Sequence, residues 1–152
     1  MPDVLRKAVR NDLPDLFRVR YAVSENRPSS RIVTESQVIE ALEVTGCGWV
    51  IELHGVIAAF AIGNALTGSL FALFVDPTYQ GQGYGRRLHD TAVEWLWARG
   101  LDRIWLNTQP GTRAQRFYEE LGWVCRGPID TGELRFELTN PNPGPDRNEA
   151  LS

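Results

Sequence analysis

An apolar run over residues 70–75 ends at Asp76-Pro77 and soon gives way to three alternating glycines, Gly81, Gly83 and Gly85, and then to an amphipathic helical pattern. A strand apolar on both faces followed by a glycine loop and a helix commits the middle of the chain to a sheet with helices packed on it. Glycines at alternate positions suit a backbone that turns tightly or approaches a ligand closely. The free N–H groups at the start of the following helix face whatever the loop holds, and phosphate is the natural guest for them. Arg86 and Arg87 lie in that first turn, where the helix dipole disfavours cations, an arrangement that a bound diphosphate would compensate. The plainer alternative is a loop that needs tight turns, with two arginines in solvent.

The rest of the chain supplies the partners for this unit. Residues 4–9 read as a short first strand, Asn11 as a helix N-cap, and Leu13, Leu16, Phe17 and Arg20 as one helical face, with Pro14 in the first turn. Residues 24–30 are polar and form a loop. Thr34 and Gln37 have capping-box spacing before a second helix carrying Val38, Ile39 and Leu42, which Gly46 would end. Trp49, Ile51 and Leu53 then alternate, and His54-Gly55 turns the chain into the apolar residues 56–62, a β-hairpin. After the glycine loop, Leu88, Ala92, Trp95 and Leu96 mark a helix closed by Gly100. Residues 104–106 read as a buried strand. Ala114, Phe117, Tyr118 and Leu121 mark a short helix ended by Gly122, and residues 133–138 a last strand. The predicted order is β-α-α-β-β-β-α-β-α-β, an α/β mixed sheet without internal repeats. It forms one domain over residues 1–139, followed by a Pro-rich disordered tail over 140–152.

Composition narrows the function classes. At 152 residues there is room for one domain of ordinary size, and 43% hydrophobic with 23% charged residues is globular. Net charge is −3, so no broad basic field exists to hold a nucleic acid backbone. Lys7 is the only lysine among 16 basic residues, so no G-x-x-x-x-G-K-[S/T] phosphate loop is present. The longest unbroken apolar stretch, residues 56–62, is far short of the roughly 18 that a membrane span needs, and the first twenty residues hold no apolar signal core. A soluble cytoplasmic protein is expected. Cys47 and Cys125 have neither zinc nor C-x-x-C spacing and are expected as free thiols, and no metal is expected. Trp49, Trp95, Trp97, Trp105 and Trp123 read as core or interface residues, with Trp123 the best placed to reach a pocket.

The dinucleotide fingerprint G-x-G-x-x-G also fails, because Arg86 follows Gly81 and Gly83 where a glycine is required. Gln80-x-x-Gly83-x-Gly85 after a strand ending Val75-Asp76-Pro77 instead resembles the acyl-CoA-binding motif of the GNAT superfamily of N-acyltransferases. The order of elements and the later Ala114-x-x-Phe117-Tyr118-x-x-Leu121-Gly122-Trp123 extend the resemblance over most of the chain. It implies a central, mostly antiparallel sheet with a splayed parallel strand pair, flanked by helices. It also implies that amides of Gln80, Gly81, Gln82, Gly83, Tyr84 and Gly85 cradle the coenzyme A pyrophosphate with help from Arg86. Leu73, Phe74 and Val75 would then hydrogen-bond the pantetheine arm, an N–H near Phe74 or Val75 would polarise the thioester, and the gap to residues 103–107 would hold it.

The same resemblance makes Tyr118 the acid that protonates the departing thiolate, although packing within the apolar stripe of its helix accounts for the residue equally simply. Many relatives have asparagine three residues before the equivalent of Ala114. This chain has Gly111, and Asn107 or Thr108 would supply the polar substitute. Among carboxylates, Glu25 is the first choice for general base, ahead of Glu52 and Glu133, with a base acting through water as the alternative. His54 reads as a turn residue and His89 as a surface residue. The implied activity is transfer of an acetyl group from acetyl-CoA to a primary amine in a ternary complex, by a chain that resembles homodimeric relatives and needs neither nucleic acid nor membrane. A non-catalytic acyl-CoA sensor and a nucleotide-binding domain of another kind are the competing readings.

Overall fold

A computed structural model describes residues 3–24 and 33–142 of the chain. Its seven strands are β1 (Val4–Lys7), β2 (Gly46–Leu53), β3 (Val56–Asn64), β4 (Ser69–Val75), β5 (Arg103–Thr108), β6 (Val124–Pro128) and β7 (Leu134–Thr139). The helices are α1 (Leu13–Ser24), α2 (Glu35–Glu43), α3 (Tyr84–Ala98) and α4 (Arg113–Glu120). The strands form one sheet in the order β1-β2-β3-β4-β5-β7-β6, antiparallel throughout except for β4 beside β5.

Alternation along the strands assigns the two faces. Trp49 and Ile51 point with Ala59, Ala61, Ile104, Leu106 and Phe136 toward α3 and α4, which contribute Leu88, Ala92, Leu96 and Tyr118. Val50, Phe60, Ile62 and Ala72 point the other way and meet Leu13, Leu16 and Val19 of α1 with Val38 and Ala41 of α2. The hairpin turns at His54 (φ 50°) and Gly55 (φ 82°), the paired left-handed conformation whose twist matches two antiparallel strands. Thr34 caps α2 as its spacing predicts: its hydroxyl accepts from Gln37 N at 3.2 Å, and the Gln37 side-chain Oε1 accepts from Thr34 N at 2.9 Å.

Four local expectations are corrected. The cap at Asn11 is absent. Arg10–Asp12 form a 3-10 turn before α1, and the Asp12 carboxylate takes the capping role by accepting from Val9 N at 2.8 Å and from both terminal nitrogens of Arg6. Gly46 does not end α2 but opens β2, where a Cβ would stand 1.8 Å from the Gly63 carbonyl oxygen. A seventh strand, β6, follows α4; it is an exposed edge strand with a bulge between Cys125 and Gly127, so it carries no apolar alternation to read. Asn140, assigned by sequence to the tail, is buried and donates from its backbone to Asp102 O at 2.8 Å; residues 143–152 lie outside the described residues. Among the described residues, no helix is long and apolar enough to cross a membrane.

Candidate active site

Strands β4 and β5 pair at one place, Ser69 opposite Trp105, where Trp105 N donates to Gly68 O at 3.0 Å and the indole N–H donates to Thr67 O at 2.9 Å. Beyond that pair they part. Asp76 N donates back to Ala58 O of β3 at 2.8 Å, which sets the phase of the ladder. Peptide groups alternate in direction along a strand, so Phe74 faces β3 while Leu73 and Val75 turn their N–H and C=O into the gap. The orphan edge expected for a ligand arm is therefore carried by Leu73 and Val75; Phe74 contributes only its side chain.

The gap opens into a cavity of about 380 Å³ that runs from the glycine loop to α4. Its wall includes Leu73, Phe74, Val75, Gln80, Gly81, Gly83, Tyr84, Gly85, Arg86, Asn107 and Tyr118, all expected from sequence; Gln82 is exposed and does not line it. Asp76 shapes the entry to the loop by accepting from Thr78 N at 3.0 Å while Arg18 holds its other oxygen at 3.0 Å. Gly83, at φ 85°, is the N-cap of α3 and offers no side-chain acceptor, so the first-turn N–H groups of α3 stay available to an anion. No atom lies within 4 Å of the place a Cβ would take at Gly81 or Gly83, whereas at Gly85 it would touch Val75 and the Phe117 ring. The first two glycines leave the cradle open, and the third lets helix meet strand. Of the two arginines, Arg86 lines the cavity and is only loosely paired with Asp90 at 3.4 Å. Arg87 is drawn away by Asp3 at 2.6 Å, so the expectation for it is corrected.

Tyr118 closes the inner end. It is buried, its ring packs against Phe117, Trp123 and Phe136, and burial pushes its phenol well above the ordinary range. His89 is not on the surface as expected but buried behind Tyr118. Its Nε2 accepts from the Trp123 indole N–H at 2.9 Å, which places the imidazole proton on Nδ1, facing Asp90 Oδ1 at 2.9 Å. Glu25 lies outside the described residues. Glu52 is held by Arg6 at 2.9 Å, and Glu133 accepts from the Thr131 hydroxyl at 3.0 Å. Among the described residues no Asp, Glu or His lines the cavity, and no group of three His, Cys, Asp or Glu is placed to hold a metal.

Among the cavity residues that sequence reasoning did not assign to the site are Val23, Phe71, Tyr79 and Arg113. Val23 brings the end of α1 to the opening and Phe71 extends the β4 wall; Tyr79 and Arg113 stand at the loop and at the first turn of α4. Phe71 was not recoverable by counting back in twos from Val75 and Leu73, because the ladder to β3 shifts register between Ile62 and Gly63 and Phe71 packs with Phe74 on the other face. Arg113 was signalled by Thr112, whose hydroxyl caps α4 by accepting from Gln115 N at 3.2 Å. Gly111 donates its N–H to Gln115 Oε1 at 2.7 Å and so serves the same cap.

Comparison with known proteins agrees with this geometry. Residues 8–123 match the family model described as the acetyltransferase (GNAT) family. A [ribosomal protein bS18]-alanine N-acetyltransferase of Haemophilus ducreyi is 41% identical over 70 residues, which cover 44% of this chain and 48% of that protein. The match thus spans about half the length of that relative. Among solved structures, PaiA N-acetyltransferase from Thermoplasma acidophilum in complex with coenzyme A superposes with a TM-score of 0.76 at 14% identity, over 92% of this chain and all of that one. YncA from Salmonella typhimurium, with its cofactor acetyl-CoA, gives 0.74 at 19% identity over 96% and 99%. These likenesses establish the fold.

Proposed function

The chain belongs to the GNAT acetyltransferase family, and on that premise we propose that it transfers an acetyl group from acetyl-CoA to a primary amine of a small molecule or protein by direct attack in a ternary complex. One observation carries the reading: the gap edge of Leu73 and Val75 leads without interruption from the open glycine loop to Tyr118. Backbone amides of the loop and the first turn of α3 suit the pyrophosphate, with Arg86 beside them. Leu73 and Val75 offer peptide groups to the two amides of the pantetheine arm, as an added strand would use them. A gap-facing N–H then meets the thioester oxygen as charge develops on it. Tyr118 donates to the departing sulfur, and the ammonium proton of the acceptor leaves to water or to a carboxylate such as Glu25.

Release of free thiol from acetyl-CoA, measured across a panel of amines, tests this. The panel includes a peptide beginning with alanine, since a relative is named for that acceptor, beside a polyamine, an aminoglycoside and free amino acids. Amine-dependent release supports catalysis. Binding of CoA without such release makes the chain an acyl-CoA sensor, and thermal stabilisation by ATP or NAD but not by CoA defeats both readings. The proposal extends to a cytoplasmic homodimer, which light scattering on the purified chain and cell fractionation test.

A further inference from the structure

On the wall opposite β4, Asn107 and Arg135 are register partners, and Arg135 Nε lies 2.7 Å from the Asn107 side-chain oxygen. A guanidinium can only donate, so chemistry fixes which end of the amide faces it: Oδ1 is committed, and Nδ2 with its two hydrogens is the end left over. Arg135 is itself held, with its guanidinium carbon 4.1 Å from the Trp105 ring centroid, and Trp105 is anchored through its indole to Thr67. Asn107 lines the cavity, and its Nδ2 has no protein acceptor among the described residues. Asn107 lies two residues along β5 from the last paired residue, Trp105, and lines the same cavity as Leu73 and Val75 of β4. Donors therefore stand on both walls of the gap.

Resting on the acetyltransferase reading above, we infer that Asn107 is a second hydrogen-bond donor to the reacting carbonyl, and that Arg135 is its positioning residue. The nitrogen lone pair of the amine forms the C–N bond, and the carbonyl π pair moves to oxygen, where a gap-facing β4 amide and Asn107 Nδ2 hold it. When that pair returns, the C–S bond breaks and the thiolate departs hydrogen-bonded to the Tyr118 hydroxyl, while the ammonium proton leaves to water. Asn107 never accepts a proton, because the oxygen that would do so is occupied. The charge on Arg135 draws density through the amide and strengthens the Nδ2 donors.

Asn107→Asp separates this role from a merely structural one. The carboxylate still accepts from Arg135, as an ion pair, but has no N–H to offer. We expect kcat to fall about 100-fold with KM for acetyl-CoA within about 3-fold, and folding intact. Arg135→Ala frees the amide to rotate and should lower kcat about 10-fold, with no further loss when added to Asn107→Asp. A wild-type kcat in Asn107→Asp overturns the inference and leaves the acetyltransferase reading standing. Independently of turnover, the Asn107 side-chain ¹H–¹⁵N resonances should move further with acetyl-CoA than with CoA, since only the former brings the thioester carbonyl. Identical shifts overturn the inference, whereas a calorimetric titration showing no CoA binding overturns the reading beneath it.

Discussion

Tyr118 sits among rings with its phenol held protonated by burial, and a donor whose pKa is raised stays loaded as pH rises. In the proposed reaction, full transfer to a thiolate whose conjugate acid has a pKa of about 8.5 is uphill, so a held hydrogen bond would do the work. Tyr118→Phe should lower kcat about 100-fold, and wild-type kcat should show no falling limb below about pH 10; stopped thiol-release assays across pH measure both. His89 behaves in the opposite sense. Desolvation holds its pKa below 6.5 against the pull of Asp90, so the unfolded chain binds more protons below that value. The stability it contributes is complete above pH 6.5 and is lost as pH falls below it. Thermal midpoints of His89→Gln should therefore decline less than those of wild type over the acid side of that value. The place of Tyr118 on the cavity wall was foreseen from the resemblance of its motif. The burial of His89 was not, because its partner Trp123 is 34 residues away and nothing local announces a hydrogen bond between them.

At the scale of elements, the glycine loop and its helix were legible because each signal there is local: an apolar run, a proline stop, alternating glycines and an amphipathic repeat. The hairpin and the capped α2 were legible for the same reason. Strand β6 was not, since an edge strand in solvent is held by its ladder to β7 and leaves no periodic trace. The loop also yields a controlled prediction. Gly83 and Gly127 are both left-handed, and neither has an atom within 4 Å of where a Cβ would go, so alanine at either should destabilise the fold by about 1–2 kcal/mol of backbone strain. Only Gly83→Ala puts a methyl in the phosphate cradle. Calorimetry should show CoA affinity falling at least about 10-fold for Gly83→Ala and holding for Gly127→Ala.

For the whole molecule, β1 to β4 and β5 to β7 are two blocks of sheet that share one strand pair, with α3 and α4 packed beneath both. A ligand lying in the gap contacts both blocks and binds only the folded chain. At a hundredfold excess over Kd, CoA should add about 2.7 kcal/mol, a rise in thermal midpoint of roughly 5–10 °C, read by differential scanning fluorimetry. The mixed sheet and its parting strands were foreseen from element order and resemblance together; no local pattern states where a ladder stops. That stop has a further effect. Bare strand margins commonly recruit foreign polypeptide and seed aggregates, and a flat one would do so here. This margin lies instead in a gap whose far side is the chain's own β5, so it is screened from the open sheet edge a foreign strand would need. An amide-bearing arm that bonds Leu73 and Val75 would occupy the same margin from within.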